Sequence, residues 1–241
     1  MPNGQAPSDL RVTADLSAND MGPWGYVSGS PDFPGAENVA KLAHPGAAED
    51  DTIKRDIRTT AGAASLKHQL IRLHLEGPLG QEVAVTDIRP VIHTKQAPLN
   101  GSLVWAPPQG EENSSEVLLN LDDPFAVVRT SVYEESRRQR VPTAPFFPAH
   151  TIKLSDGETH EVVVTANATG YSYEYELAVV YQSGTEIKQV LVNDAGHTFR
   201  VSGIACIETH IASYRSAYEL VGDFSVVRNP HPDHFDIRPD C

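Results

Sequence analysis

Alternating polar and apolar positions between residues 151 and 201 are the clearest structural signal in this sequence of 241 residues. From residue 171 to residue 181 every second side chain is Tyr, Leu or Val, and the intervening ones are Ser, Glu, Ala or Val. Such a period of two predicts a long β-strand, because successive side chains of a strand point to opposite faces. The segment contains no proline, so we expect the strand to be central in its sheet.

Turn signals separate this strand from its neighbours. They are the pairs Asp156-Gly157, Ser183-Gly184 and Ala195-Gly196, which lie between strand-like runs. The order of runs and turns predicts a meander of four strands at 160–166, 171–181, 186–192 and 197–201. Further strands are predicted at 10–16, 69–76, 82–94, 102–106 and 116–121.

Many short strands with regularly spaced turns predict a mainly β protein, an immunoglobulin-like antiparallel β-sandwich, with a barrel as the alternative. Residues 1–64 are expected to add a strand, loops that include 22–26, and short helices at 36–43 and 50–59. Residues 65–203 form the predicted sandwich core, in which the proline-bearing segment 122–149 is a long crossover. Residues 204–241 hold a strand or helix at 210–220 and an irregular tail. One compact domain is the expected result.

The net charge of −13 argues against a nucleic acid partner, since binding to phosphates requires clustered Lys and Arg. No apolar run is long enough to span a bilayer, so no membrane insertion of this chain is expected. The first thirty residues also lack the pattern of a signal peptide.

The two cysteines, Cys206 and Cys241, leave two possibilities open. The apolar neighbours of Cys206 and the terminal position of Cys241 favour a buried free thiol at Cys206. A disulfide would instead indicate an oxidising compartment.

Motifs for catalysis are missing from the sequence: it has no nucleophile elbow, phosphate-binding loop, dinucleotide fingerprint or His-Glu-x-x-His helix. The serines that precede glycine fall at turns, where they serve backbone conformation. We therefore assign no catalytic residue and no cofactor, and we favour a function other than catalysis.

Four tyrosines of the predicted central strand form the candidate interaction surface: Tyr171, Tyr173, Tyr175 and Tyr181. If exposed, they would offer a protein or a carbohydrate large apolar area together with hydroxyl groups. If buried, they would form the inner face of the sandwich. The uninterrupted row of aromatic and aliphatic residues favours burial.

A candidate metal site lies near the end of the chain, where four potential ligands occur within six residues: His231, Asp233, His234 and Asp236. Pro232 prevents the helix that would place both histidines on one face, so an acidic surface tail is the favoured interpretation. A second histidine group, His68 and His74 with Arg72 between them, is predicted on the outer face of one strand.

Several segments of the chain resemble an uncharacterised actinobacterial β-sandwich domain over about residues 66–203. They are the segments 73–77, 86–91, 97–103, 173–175 and 199–201. The resemblance implies an extracytoplasmic module that follows a membrane-spanning or regulatory segment of a larger bacterial protein. It implies no catalytic residue.

Together these observations predict a non-catalytic binding, sensing or structural interaction module. Its expected partner is a protein or a carbohydrate, and it is expected outside the cytoplasm if it belongs to a membrane-anchored protein. The alternative is a metal-dependent binder or enzyme that uses the residues from His231 to Asp236.

Overall fold

The fold is taken from a computed structural model, which describes residues 9–16, 24–32, 37, 40–41, 43–44, 51–59, 62–106, 117–134, 139–147, 149–222, 225–237 and 241. The strands of the first half are β1 (Arg11–Asp15), β2 (Trp24–Ser28), β3 (Ala64–Leu66), β4 (His68–Glu76), β5 (Val83–Gln96), β6 (Ser102–Ala106), β7 (Val117–Asn120), β8 (Val128–Glu134) and β9 (Gln139–Pro145). Helix α1 (Asp51–Thr59) covers the second of the two predicted helical segments, and the first lies largely outside the described residues.

The strands of the second half are β10 (Ile152–Leu154), β11 (Thr159–Asn167), β12 (Ser172–Ser183), β13 (Glu186–Val192), β14 (Phe199–Ser202), β15 (Cys206–Glu208), β16 (Ile211–Ala212), β17 (Ser216–Leu220), β18 (Val226–Arg228) and β19 (Phe235–Asp236). The protein is therefore mainly β. Over the part of the chain that the structure describes, the sheets do not close into a barrel, and their arrangement is consistent with a β-sandwich.

Three sheets are present in the described residues. Sheet A has the order β1-β4-β11-β7-β8-β9. Sheet B has the order β10-β5-β12-β14-β3-β2-β6-β17-β18, with β13 paired to β12 beside β14. Sheet C is the small sheet β15-β16-β19. Strands from all three sequence regions, 1–64, 65–203 and 204–241, share sheet B.

The largest hydrophobic core lies between sheet A and the β5–β12–β14 part of sheet B. The inward side chains of β4 and β11, such as Leu73 and Val164, contact those of β12, such as Leu177 and Val179. All four are fully buried. Alternation along each strand produces this core, because every second side chain faces the opposite sheet.

The prediction that β12 is long and central is confirmed. It pairs with β5 over its whole length on one side, and with β14 and then β13 on the other. An uninterrupted apolar face and a proline-free backbone suit this position, since both edges of the strand must supply hydrogen bonds.

The prediction of a four-strand meander is wrong, because β11 belongs to sheet A and not to sheet B. The chain crosses between the sheets at residues 168–171, where the Ala168 amide donates to the Lys67 carbonyl and the Gly203 amide donates to the Tyr171 carbonyl. A strand that faces β12 across the core has the same period of two as a strand that pairs with it. Alternation therefore does not distinguish these arrangements.

The sandwich is also not purely antiparallel. The pairs β7–β11, β3–β14 and β6–β17 are parallel. Parallel strands that pair must be joined by long connections. Turn signals in the sequence identify only strands that follow one another directly along the chain, so they did not predict these pairs.

The predicted crossover at residues 122–149 is wrong, since this segment forms the hairpin β8–β9. Pro142 and Pro145 are accommodated because β9 is the edge strand of sheet A, where an amide is not required on the outer side. The predicted loop at 22–26 is wrong for its described part, which belongs to β2. Gly25 fits there because a Cβ atom would lie 2.9 Å from the Val104 carbonyl oxygen.

The C-terminal region departs from the irregular tail that the sequence predicts. The segment 210–220 holds two strands, β16 and β17, and the tail adds β19 to sheet C. Phe235 and Ile237 are fully buried in a second core on one face of sheet B, while Ile57 of α1 belongs to a third core. Buried apolar side chains thus anchor the chain end.

The prediction of a buried free thiol at Cys206 is wrong. Cys206 is exposed and forms a disulfide with Cys241, with 5.8 Å between the Cα atoms. Because Phe235 and Ile237 anchor the tail, the terminal residue reaches β15, and the Cα separation is ordinary for a disulfide.

Among the described residues, no helix is long and apolar enough to cross a bilayer.

Candidate functional site

The four tyrosines of the candidate surface do not share one environment. Tyr173, Tyr175 and Tyr181 are buried on the inner face of β12, whereas Tyr171 is 44% exposed. The hydroxyl groups of the buried three donate to Asp122, Gln69 and Asp9 respectively. The sequence favoured burial of this row. Because three of the four tyrosines are buried, only Tyr171 among them offers substantial area to a partner.

Asp122 organises the end of the sandwich at which Tyr171 lies. Its Oδ2 accepts hydrogen bonds from the Thr169 amide at 2.6 Å, the Thr169 hydroxyl at 2.7 Å and the Gly170 amide at 3.0 Å. Its Oδ1 accepts from the Tyr173 hydroxyl at 2.8 Å. One carboxylate therefore ties the β7–β8 loop to the β11–β12 turn and to the core.

These contacts set the charge states of the pair. Burial alone raises the pKa of Asp122, but the hydrogen bonds from Thr169, Gly170 and Tyr173 outweigh it, so the pKa of Asp122 is lowered. Burial, the hydrogen bond to Asp122 and the charge of Asp122 raise the pKa of Tyr173. Asp122 is thus an anion and Tyr173 a neutral donor at physiological pH.

The β7–β8 loop presents Phe125 to solvent. The Asp122 amide donates to Oδ1 of Asn120 at 3.1 Å, and the Phe125 amide donates to Oδ1 of Asp123 at 2.9 Å. Side-chain acceptors two residues earlier are typical of Asx turns, which hold a loop in one conformation. The Phe125 side chain is nevertheless 83% exposed, the highest value for a large apolar residue among the described positions.

Lys95 completes this surface. Its Nζ lies 3.9 Å from the ring centroid of Tyr171 and 5.6 Å from that of Tyr173, within the range of a cation–π contact. We call the surface formed by residues 120–127, residues 168–171 and Lys95 the loop end. It combines an exposed phenylalanine, a half-exposed tyrosine and a cation on loops that hydrogen bonds hold in place.

The sequence alone did not identify Phe125 or Asp122. Asp122 and Tyr173 are separated by 51 positions. The only local signal was the Asp-Asp-Pro-Phe segment from Asp122 to Phe125, which is typical of a turn and says nothing about its neighbours.

The candidate metal ligands near the chain end lie at the surface. His231, Asp233, His234 and Asp236 are exposed, and Nδ1 of His234 lies 3.2 Å from Oδ2 of Asp233. Phe235 between them points into the core, so the segment is anchored by its apolar residues. Among the described residues, no group of three or more His, Cys, Asp or Glu is placed to hold a metal ion.

A second polar group lies on the outer face of sheet B and was not predicted. Oε2 of Glu176 lies 3.0 Å from Nε2 of His93, and Oε1 accepts from Nδ2 of Asn193 at 2.8 Å. Hydrogen bonds from Asn193 and His93 lower the pKa of Glu176. His93 is the extra residue of a β-bulge in β5, where the pairing with β12 skips one position. The arrangement fixes the orientation of the imidazole.

The outer face of β4 carries the predicted row of His68, Arg72 and His74. Nη1 of Arg72 lies 2.6 Å from Oε1 of Glu161 on the neighbouring strand β11. His74 lines an open cleft beside this pair.

Comparison of the chain with protein-family models, with curated proteins and with solved structures finds no match.

Proposed function

We propose that this protein is a non-catalytic interaction module with an immunoglobulin-like sandwich, and that it binds a protein partner through the loop end. The observation that carries the proposal is the exposure of Phe125 on a loop fixed by Asp122 and Asp123. Aromatic side chains dominate the energetics of protein interfaces. A loop that is already ordered loses little conformational entropy on binding.

The disulfide supports a location outside the cytoplasm. Cys206 and Cys241 are paired, and such bonds persist mainly in oxidising compartments. The exposure of Cys206 strengthens the argument, because an exposed disulfide is accessible to cytosolic reductants. An interaction module outside the cytoplasm accounts for both the presence of the disulfide and the exposure of Phe125.

The test is site-specific photo-crosslinking in the native host. A photoreactive phenylalanine analogue is placed at position 125 or 171, and at Leu79 as the control. Leu79 is 58% exposed and lies in the β4–β5 connection, at the opposite end of the sandwich. We expect one protein adduct from positions 125 and 171 and none from position 79.

The cross-linked protein is then purified and titrated with the unmodified module. Phe125→Ser should weaken binding by about tenfold or more, as expected for a hot-spot residue, and Leu79→Ser should leave it unchanged. Equal adducts at all three positions, no adduct at any of them, or unchanged affinity of Phe125→Ser would each contradict the proposal.

A further inference from the structure

A cleft of about 450 Å³ lies on the outer face of sheet A, across β1, β4 and β11. Two of its lining residues, Leu75 and His160, occupy alternate positions of β4 and β11. The other six are polar residues in register on the outer face: Arg11, Thr13, His74, Glu76, Thr159 and Glu161. The cleft is separate from the loop end, because it lies where β4 ends and β11 begins, whereas the loop end lies beyond the other end of β11.

Strand register arranges these six residues in two rows. Arg11 pairs with Glu76 and Glu76 with Thr159, while Thr13 pairs with His74 and His74 with Glu161. Paired residues on adjacent strands have Cβ atoms about 5 Å apart, and rows two residues apart are separated by about 7 Å. The outer face therefore presents a grid of hydrogen-bonding side chains about as wide as three strands.

Ion pairs hold the charged members of this grid in place. Nη1 of Arg11 lies 3.2 Å from Oε2 of Glu76. Glu161 is 2.6 Å from Nη1 of Arg72 and 3.7 Å from Nδ1 of His74. All of these side chains remain partly exposed, so their other polar atoms are available to a ligand.

The balance of charge selects the class of ligand. Arg11 lines the cleft, and Arg72 lies beside it and pairs with Glu161. Together these two arginines offset Glu76 and Glu161, so at neutral pH the site favours neither an anion nor a cation. Carboxylates accept hydrogen bonds, guanidinium groups donate them, and the hydroxyls of Thr13 and Thr159 do both. Leu75 contributes no apolar floor, because its side chain is buried in the core. Such a lining suits a ligand with many neutral hydroxyl groups.

We infer that this cleft binds a neutral saccharide, with Glu76 and Glu161 accepting hydrogen bonds from its hydroxyl groups and Arg11 donating to them. An open cleft across a sheet face admits a chain of sugar units whose ends extend into solvent. The inference concerns a second site and does not depend on the proposed function of the loop end.

The test uses the whole disulfide-bonded protein on an array that carries neutral, N-acetylated and anionic glycans. We expect binding to at least one neutral glycan. Glu161→Gln should weaken that binding by about tenfold or more, through loss of a charge-assisted acceptor. The matched control is Glu186→Gln on β13, where the carboxylate lies 3.7 Å from Lys188 and is largely exposed. It should bind as the wild type does, and so should Phe125→Ser.

A second measurement needs no variant. Amide NMR signals that shift when the wild-type protein is titrated with the selected glycan should map to β1, β4 and β11. Absence of binding to any neutral glycan, binding to anionic glycans alone, equal losses in Glu161→Gln and Glu186→Gln, or shifts confined to other strands would each overturn the inference.

Discussion

The hydroxyl of Tyr173 donates a 2.8 Å hydrogen bond to Oδ1 of Asp122, which joins the most central strand of the sandwich to an exposed loop. Tyr173 is buried on β12, and Asp122 lies two residues beyond the end of β7 in the opposite sheet. The bond therefore couples the position of the Phe125 loop to the core.

Replacing Asp122 with Asn should destabilise the protein by about 1–3 kcal/mol, because an amide cannot accept all four of the hydrogen bonds that the carboxylate accepts. Urea denaturation measures the change. Tyr173→Phe removes only one of these bonds and should cost less, about 1 kcal/mol. Unchanged stability of Asp122→Asn would show that the carboxylate does not organise the loop end.

The contribution of Asp122 should depend on pH. Its pKa is lowered in the folded state, so its ionised form stabilises the fold fully above the ordinary value of 3.8 and less as the pH falls below that value. The difference in unfolding free energy between wild type and Asp122→Asn should therefore be constant near neutral pH and shrink in acid. A difference that grows in acid would contradict the assigned direction of the shift.

The Cys206–Cys241 disulfide should stabilise the C-terminal tail. Nonreduced, unfolded monomer should show no reactive thiol, and reduction should expose both cysteines. The double variant Cys206→Ser/Cys241→Ser should be less stable than the oxidised wild type by about 2–4 kcal/mol, since the bond closes a long loop in the unfolded chain. Thiol titration and thermal melting measure these effects. Two reactive thiols in the nonreduced unfolded monomer would disprove the bond.

Two phenylalanines form a matched pair for separating recognition from folding. Phe235 is fully buried between Trp105 and Tyr214, and Phe125 is the most exposed large apolar residue of the described chain. Phe235→Ala should cost about 3–5 kcal/mol through the cavity it leaves. Phe125→Ala should change stability by less than about 0.5 kcal/mol. Comparable losses in the two variants would mean that Phe125 supports the fold and is not available to a partner.

Local patterns in the sequence determined many of the individual strands. The alternation at residues 69–76 and 171–181 identified β4 and β12 to within a few residues, because side chains on opposite faces of a strand meet different environments. Asp156-Gly157 correctly marked a turn, where both residues have positive φ values, 45° and 75°. Such features depend on residues that are close together in the chain and can therefore be predicted from the sequence.

The same patterns did not determine which strands pair. Strand β11 has the alternation expected of a strand that pairs with β12, yet it faces β12 across the core. The β8–β9 hairpin was predicted as a connection, because prolines in an edge strand give the same sequence pattern as prolines in a loop.

The candidate sites show the same division between local and long-range information. The sequence located the tyrosine row and favoured its burial, but it favoured a free thiol over the pairing of Cys206 with Cys241. It did not indicate the link between Asp122 and Tyr173 or the grid of Arg11, Glu76 and Glu161. Each of these joins residues that are far apart in the chain. Alternation determines which face of a strand is buried, and only the packing of the whole chain determines what lies against that face.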